Sequence, residues 1–164
     1  MTPEDDIAAI ARQEADLHFD RFDEDTAFRL GCLAREEGAR RMAPIAIDIR
    51  TPSRILFAAT LPGSTPDNAD WIRRKSNLVL RVHRSSYGFG RDLEIRGRTL
   101  GEGIGLPEAD YAAHGGGFPI RVKGAGVVAC LTISGLPQRE DHRLAVWALC
   151  AALGHNPAAY DLTA

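Results

Sequence analysis

Lysine, cysteine and aromatic residues are scarce in this sequence of 164 residues. Its 20 basic residues include only two lysines, Lys75 and Lys123. The three cysteines are widely spaced and form no Cys-x-x-Cys pair, which argues against a disulfide framework and against a zinc site. Aromatic residues make up 7% of the chain and the net charge is −2, so no nucleic-acid partner is expected.

The sequence also lacks a long apolar run. None approaches the roughly 20 residues that a membrane-spanning helix requires. Residues 1–6 are acidic and precede no apolar segment, whereas a secretory signal peptide begins with basic residues. These absences predict a cytoplasmic protein with no membrane partner.

The remaining composition is that of a globular protein. Hydrophobic residues make up 45% and charged residues 26%, and the length suits a single domain over residues 1–164. The charge is unevenly distributed along the chain. Residues 1–30 carry nine acidic and three basic residues, a net charge of −6, whereas residues 71–98 carry eight basic and two acidic residues, a net charge of +6.

Two kinds of hydrophobic periodicity divide the chain into helices and strands. Helical spacing, caps and first-turn acids predict helices over residues 3–17, 23–41, 66–84 and 138–153, with a further helical stretch over 91–99. Alternating and short apolar runs predict strands over residues 44–50, 55–60, 118–123 and 127–134. The strands form two hairpins, so the sequence predicts one α+β domain in which helices cover an antiparallel sheet.

A glycine-rich segment over residues 101–117 is predicted to be a loop with one helical turn over 108–113. It ends in His114 followed by three glycines, which is similar to the oxyanion loop of lipases and esterases. The Gly-x-Ser-x-Gly nucleophile of those enzymes is absent from the sequence. Two interpretations of the glycines stay open: a turn that enters a strand, or a close approach to a ligand.

The histidines offer a second set of polar groups. Asp141 and His142 are neighbours near the start of the last predicted helix, either as an acidic first turn with a packed histidine or as a functional pair. The five histidines include no His-x-His or His-Glu-x-x-His spacing, so no metal site is predicted. A single histidine that serves as an axial haem ligand stays compatible with the sequence.

Arginines cluster on the helix predicted over residues 66–84. Arg73, Arg74 and Arg81 lie there together with Lys75, and three interpretations stay open. The cluster is a solvated helix face, a bidentate site for a carboxylate or phosphate, or a surface that pairs with the acidic residues 1–30 of the same chain or a neighbouring subunit.

Several blocks of the sequence resemble the haem-degrading proteins of the GlcG/HbpS-like family. The most specific block runs from Pro62 to Asn68 and continues from Trp71 to Lys75. Further similarity lies in residues 47–50, 83–87, 110–120, 126–128 and 134–142. The resemblance covers nearly the whole chain. It implies a profilin-like α/β/α sandwich with a central antiparallel sheet, and it implies assembly into homo-oligomers.

Some members of that family bind or degrade haem, which leads to a first hypothesis: the protein binds haem or another small anionic ligand. The pocket is expected where residues 62–75 meet the glycine-rich segment over 110–120. The candidate ligand-binding residues are Trp71, Arg73, Arg74, Arg81, Tyr87, His114, Gly116, Gly117 and His142. In this hypothesis the arginines bind the anionic groups, the aromatic residues form flat walls, and one of the two histidines is the polar or axial group.

A second hypothesis assigns the protein no catalysis. The chain is then a homo-oligomeric assembly or interaction module, in which the arginine-rich face pairs with acidic surface of another copy. A metabolic enzyme with an unidentified substrate stays as a residual alternative, because no pair of carboxylates and no nucleophile–base couple is evident in the sequence.

Overall fold

The computed structural model describes residues 2–162 and contains both helices and strands. The helices are α1 (Pro3–Asp16), α2 (Glu24–Arg40), α3 (Pro66–Val82), α4 (Ser86–Ile95) and α5 (Gln138–Leu153), with a 3₁₀ turn at Pro157–Ala159. The strands are β1 (His18–Phe19), β2 (Ala46–Arg50), β3 (Ile55–Thr60), β4 (Gly117–Val122) and β5 (Gly126–Ser134). The predicted α+β class is confirmed.

The five strands form one sheet in the order β1-β4-β5-β2-β3. The two predicted hairpins, β2–β3 and β4–β5, are antiparallel, and β2 joins them through an antiparallel pairing with β5. The short strand β1 runs parallel to β4 at the edge, with His18 beside Arg121 and Phe19 beside Val122. The sequence analysis did not predict β1, because two residues are too few to show a period.

Helices cover both faces of the sheet. On one face, α2 and α5 pack against the strands, while α3 packs against the other face and α1 packs against α4 beside it. The alternation of side chains along β5 explains this division, because successive residues point to opposite faces. Leu131 and Ile133 belong to the apolar core under α2 and α5, whereas Thr132 contacts Ser76 of α3 through their hydroxyl oxygens at 3.0 Å.

The start of α4 differs from the prediction. A helical stretch is predicted over 91–99, but α4 begins at Ser86, and Ser85 caps it by accepting a hydrogen bond from the Gly88 amide at 3.2 Å. Gly90 lies inside the helix. A Cβ there would overlap the Ala113 carbonyl oxygen, so this close contact with the loop before β4 requires glycine at position 90. In the segment expected to hold one helical turn over 108–113, a single turn forms at residues 107–111, where the Tyr111 amide donates to the Pro107 carbonyl oxygen at 3.0 Å, and irregular backbone follows.

Gly116 lies where three parts of the fold meet. Its φ of +126° is a conformation that favours glycine, and a Cβ there would overlap the Ile133 carbonyl oxygen and lie 2.8 Å from Lys75 Nζ. The segment before β4 can therefore pass close to the end of β5 only when residue 116 has no side chain.

We expect Gly116→Ala to lower the free energy of unfolding by at least about 2 kcal/mol, because it adds steric overlap to backbone strain. The matched control is Gly124→Ala in the β4–β5 turn, where φ is +80° and no atom lies within 4 Å of the added Cβ. That control isolates backbone strain, which costs about 1–2 kcal/mol. Urea unfolding measures both, and equal losses in the two variants would contradict the close approach.

Candidate functional site

Two adjoining cavities lie beside the N-terminal half of α3. The first, of about 400 Å³, lies between α3, α4 and the loop before β4, and we call it the arginine cleft. The second, of about 260 Å³, lies between the start of α3, the end of β5 and the start of α5, and we call it the lysine cavity. Trp71, His114 and Gln138 line both.

Two further cavities are larger. One of about 530 Å³ lies beside β1 and α2, and one of about 560 Å³ lies beside β2 and β3. Both are lined by arginine and aspartate but by no histidine, lysine or tryptophan. The arginine cleft and the lysine cavity differ from them in sharing a histidine and a tryptophan, and the lysine cavity adds a buried lysine.

His114 lies at the junction of these two cavities. Its ring packs edge-on against Trp71 with 4.7 Å between ring centroids, and no hydrogen bond to His114 is found among residues 2–162. His114 is exposed at this junction, but its partial desolvation by neighbouring side chains lowers its pKa, and the positive charges of Lys75 and Arg74 lower it further. The imidazole is therefore uncharged near neutral pH and can act as a ligand or a proton acceptor.

Arginines shape the arginine cleft. The Arg74 guanidinium lies over the Trp71 ring at 4.0 Å from its centroid and donates through Nε to Asp70 at 2.8 Å. Arg91 pairs with Glu94 at 2.7 Å, while its Nε atom is buried and has no hydrogen-bond partner in the described part of the chain. Both guanidinium groups thus keep donors that fit a planar anion.

A buried ion pair forms one wall of the lysine cavity. Lys75 is 3% exposed, and its Nζ donates to the Ile133 carbonyl oxygen at 3.0 Å and to Asp141 Oδ2 at 3.1 Å. Asp141 also accepts from the Leu136 amide at 2.9 Å. Burial lowers the pKa of Lys75 and raises the pKa of Asp141, and the opposite charge of each partner counteracts these shifts.

The sequence analysis missed this pair as a functional feature. It placed Lys75 in the arginine cluster and Asp141 in an acidic first turn. One signal was available, because Lys75 shares its helix face with Leu78 and Val82, where an amphipathic helix normally carries apolar residues.

The predicted arginine site is only partly assembled. Arg74 lines the arginine cleft, but Arg73 points along the exposed side of α3 and donates to Asp70 at 2.9 Å and to Asp110 at 3.0 Å. Arg81 is exposed near the end of α3 and lines neither cavity. The acidic partners in these contacts are Asp70 and Asp110, which lie outside the acidic residues 1–30.

The predicted glycines pack against other backbone segments. The Gly117 amide donates to Ser86 Oγ at 3.0 Å, and the Gly116 carbonyl accepts from the Ile133 amide at 3.0 Å. These contacts fit the interpretation of a turn that enters a strand, and neither Gly116 nor Gly117 lines the two cavities.

His142 and Tyr87 lie apart from both cavities. His142 is fully buried, with its ring 5.1 Å from that of Tyr87 and its Nε2 at 2.8 Å from Gln13 Oε1. The Tyr87 hydroxyl donates to Asp6 at 2.9 Å. Burial lowers the pKa of His142 to about 3, so its imidazole is neutral. Asp141 and His142 therefore serve different contacts, one with Lys75 and one with Gln13.

Two absences concern the described part of the chain alone. Between residues 2 and 162, no cluster of three or more His, Cys, Asp or Glu side chains could hold a metal ion. None of the helices in that range has the length and hydrophobicity that spanning a bilayer requires.

Comparison with known proteins links the chain to a family. A family model described as haem degrading protein HbpS-like matches residues 22–150. A UPF0303 protein of Acidobacterium capsulatum is 51% identical over 162 residues, which cover 99% of this chain and 98% of that protein.

Solved structures share the fold. The Ybr137w protein is 35% identical with a TM-score of 0.82, and the match covers 88% of this chain and 86% of that chain. The structure of a PduOC:heme complex is 18% identical with a TM-score of 0.68, and the match covers 82% of this chain and 99% of that chain.

The burial of His142 predicts acid-sensitive stability. The unfolded chain binds a proton at this histidine below a pKa of about 6.5, but the folded chain does so only near pH 3. Stability is therefore lost as the pH falls below 6.5. We expect about 2 kcal/mol less loss between pH 6.5 and 5 in His142→Gln than in the wild type, as measured by urea unfolding. Exposed His155→Gln is the control, and equal pH slopes in wild type and His142→Gln would contradict the prediction.

Proposed function

The chain belongs to the HbpS-like family of haem-degrading proteins, and on that premise we propose that it binds haem in the arginine cleft. The observation that carries this proposal is the position of His114. Its uncharged imidazole lies beside the Trp71 ring, which the Arg74 guanidinium also contacts, in a cavity of about 400 Å³. Small-molecule sites usually have volumes of about 300–1,000 Å³.

The side chains around the cleft fit the chemistry of haem. A neutral histidine is a common iron ligand, and a flat indole packs against a flat macrocycle. Arg74 and Arg91 line the cleft and supply guanidinium donors for the two carboxylates. Support also comes from the fold, since a structural neighbour is a PduOC:heme complex.

Each residue has a separate task in this proposal. His114 would bind the iron, Trp71 would contact the macrocycle, and Arg74, whose guanidinium lies over the Trp71 ring, would neutralise a carboxylate. Haem, when bound, supplies redox-active iron for one-electron and oxygen chemistry. The same site would accept other planar anions that place an iron near His114 or a carboxylate near Arg74.

The assembly hypothesis stays a prediction. It relied on Arg73 and Arg81 as a surface for an acidic partner. Arg73 pairs with Asp70 and Asp110 of its own chain, which leaves less charge for another copy. Arg81 is exposed and is the residue on which that hypothesis now depends.

Haemin titration tests the proposed site. We expect a shifted Soret band at micromolar wild-type protein and at least a tenfold weaker affinity, about 1.4 kcal/mol, in His114→Ala, because the iron loses its ligand. His155→Ala removes an exposed histidine that lines neither cavity and should bind as the wild type does. No Soret shift in the wild type, or equal affinity in the two variants, would refute the proposal.

The lowered pKa of His114 predicts how binding depends on pH. An imidazole binds iron only when unprotonated, and the pKa of His114 lies below its ordinary value of 6.5. The affinity for haemin should therefore fall with decreasing pH, with the midpoint of the fall below pH 6.5. The proton resonances of His114 in the ligand-free protein give the same pKa independently. A midpoint at or above pH 6.5 would count against His114 as the ligand.

A further inference from the structure

The ion pair of Lys75 and Asp141 has no task in haem binding. It lines the lysine cavity, which holds about 260 Å³ and adjoins the arginine cleft. A lysine so placed is unusual, because Lys is almost never fully buried unless it is paired. Here the lysine is paired with Asp141, and its side chain is also one of those that line a cavity.

We propose that Lys75 is a reactive amine that forms a Schiff base with small, uncharged polar aldehydes in the lysine cavity. The inference does not rest on haem binding, because it concerns a different cavity and a different group.

The geometry around Nζ favours this chemistry. Two of the three protons of the ammonium group are directed to the Ile133 carbonyl and to Asp141, at 3.0 and 3.1 Å. Residue 116 has no side chain, and a Cβ there would lie 2.8 Å from Nζ. Glycine at position 116, which does not itself line the lysine cavity, thus keeps a side chain from crowding the nitrogen.

The reaction balances within the pair and the aldehyde. A proton moves from Lys75 Nζ to the Asp141 carboxylate, which leaves a neutral amine and a carboxylic acid. The amine lone pair forms a C–N bond to the carbonyl carbon, and the acid returns the proton to the carbonyl oxygen. The C–O bond then breaks, water leaves with a second proton from the nitrogen, and a protonated imine remains; nothing is oxidised or reduced.

Burial assists the first of these steps. It lowers the pKa of Lys75 and raises the pKa of Asp141, and both directions make proton transfer from the amine to the acid less unfavourable. Burial is also the usual means by which lysines become nucleophiles in proteins.

The lining of the cavity selects the class of aldehyde. The charges of Lys75 and Asp141 offset each other, so Asp67 is the unbalanced acidic group there and disfavours substrates with a carboxylate or phosphate. Asn68, Ser134 and Gln138 offer hydrogen-bonding groups for a hydroxyl substituent. Short hydroxyaldehydes such as glycolaldehyde combine the required size and polarity.

Reductive trapping tests the proposal on the intact wild-type protein without haem. Glycolaldehyde and sodium cyanoborohydride are added at pH 7, and peptide mass spectrometry follows the hydroxyethyl group on each lysine. The chain contains its own matched control, because its only other lysine, Lys123, is exposed and pairs with Asp20 at the surface. We expect Lys75 to be modified at least tenfold faster than Lys123.

Two further arms separate cavity chemistry from chance access. In 8 M urea the preference for Lys75 should disappear, since the cavity is then absent. A bulky aldehyde such as naphthaldehyde should modify Lys123 and spare Lys75 in the folded protein. Modification of Lys75 at a rate equal to or below that of Lys123, or a preference that persists in urea, would overturn the proposal. A failed haemin titration would leave these results unaffected.

Discussion

The buried ion pair between Lys75 and Asp141 joins the helical layers of this molecule at one end of its sheet. Lys75 projects from α3 on one face, Asp141 projects from the first turn of α5 on the other, and the Ile133 carbonyl at the end of β5 lies between them. Removing one partner from such a pair leaves an uncompensated buried charge and typically costs about 3–5 kcal/mol. The position of α3, and with it the position of Trp71, depends on this contact.

The glycines before β4 allow the pair to form. A side chain at Gly116 would overlap the Ile133 carbonyl oxygen, and a side chain at Gly115 would overlap the Gln138 carbonyl oxygen. The absence of both Cβ atoms lets residues 112–117 pass between the end of β5 and the start of α5. His114 is carried on this segment, so the same close packing that accommodates the ion pair sets the imidazole beside Trp71.

The two faces of the sheet have different roles. The face under α2 and α5 is an apolar core that includes Leu131 and Ile133, whereas the face under α3 buries hydroxyl and charged groups such as Thr132. Apolar burial stabilises the fold without directing it toward any chemistry. Each buried polar group needs a hydrogen-bond partner, and this requirement fixes the direction of its side chain. Both candidate cavities lie beside α3, on the polar side of the sheet.

The sequence alone determined most of the helices and strands, the α+β class and the family resemblance, because helical and alternating periods, caps and motif blocks are local; β1 and the start of α4 were not among them. It identified α5 over residues 138–153 and the two hairpins, and it located the meeting of residues 62–75 with residues 110–120. It did not determine where side chains point across the fold. Asp141 and His142 are neighbours in sequence, yet one reaches Lys75, 66 positions away, and the other reaches Gln13, 129 positions away. The helix fixes locally the directions in which two adjacent side chains point. Which groups they then meet is decided by how the helices and the sheet pack against one another.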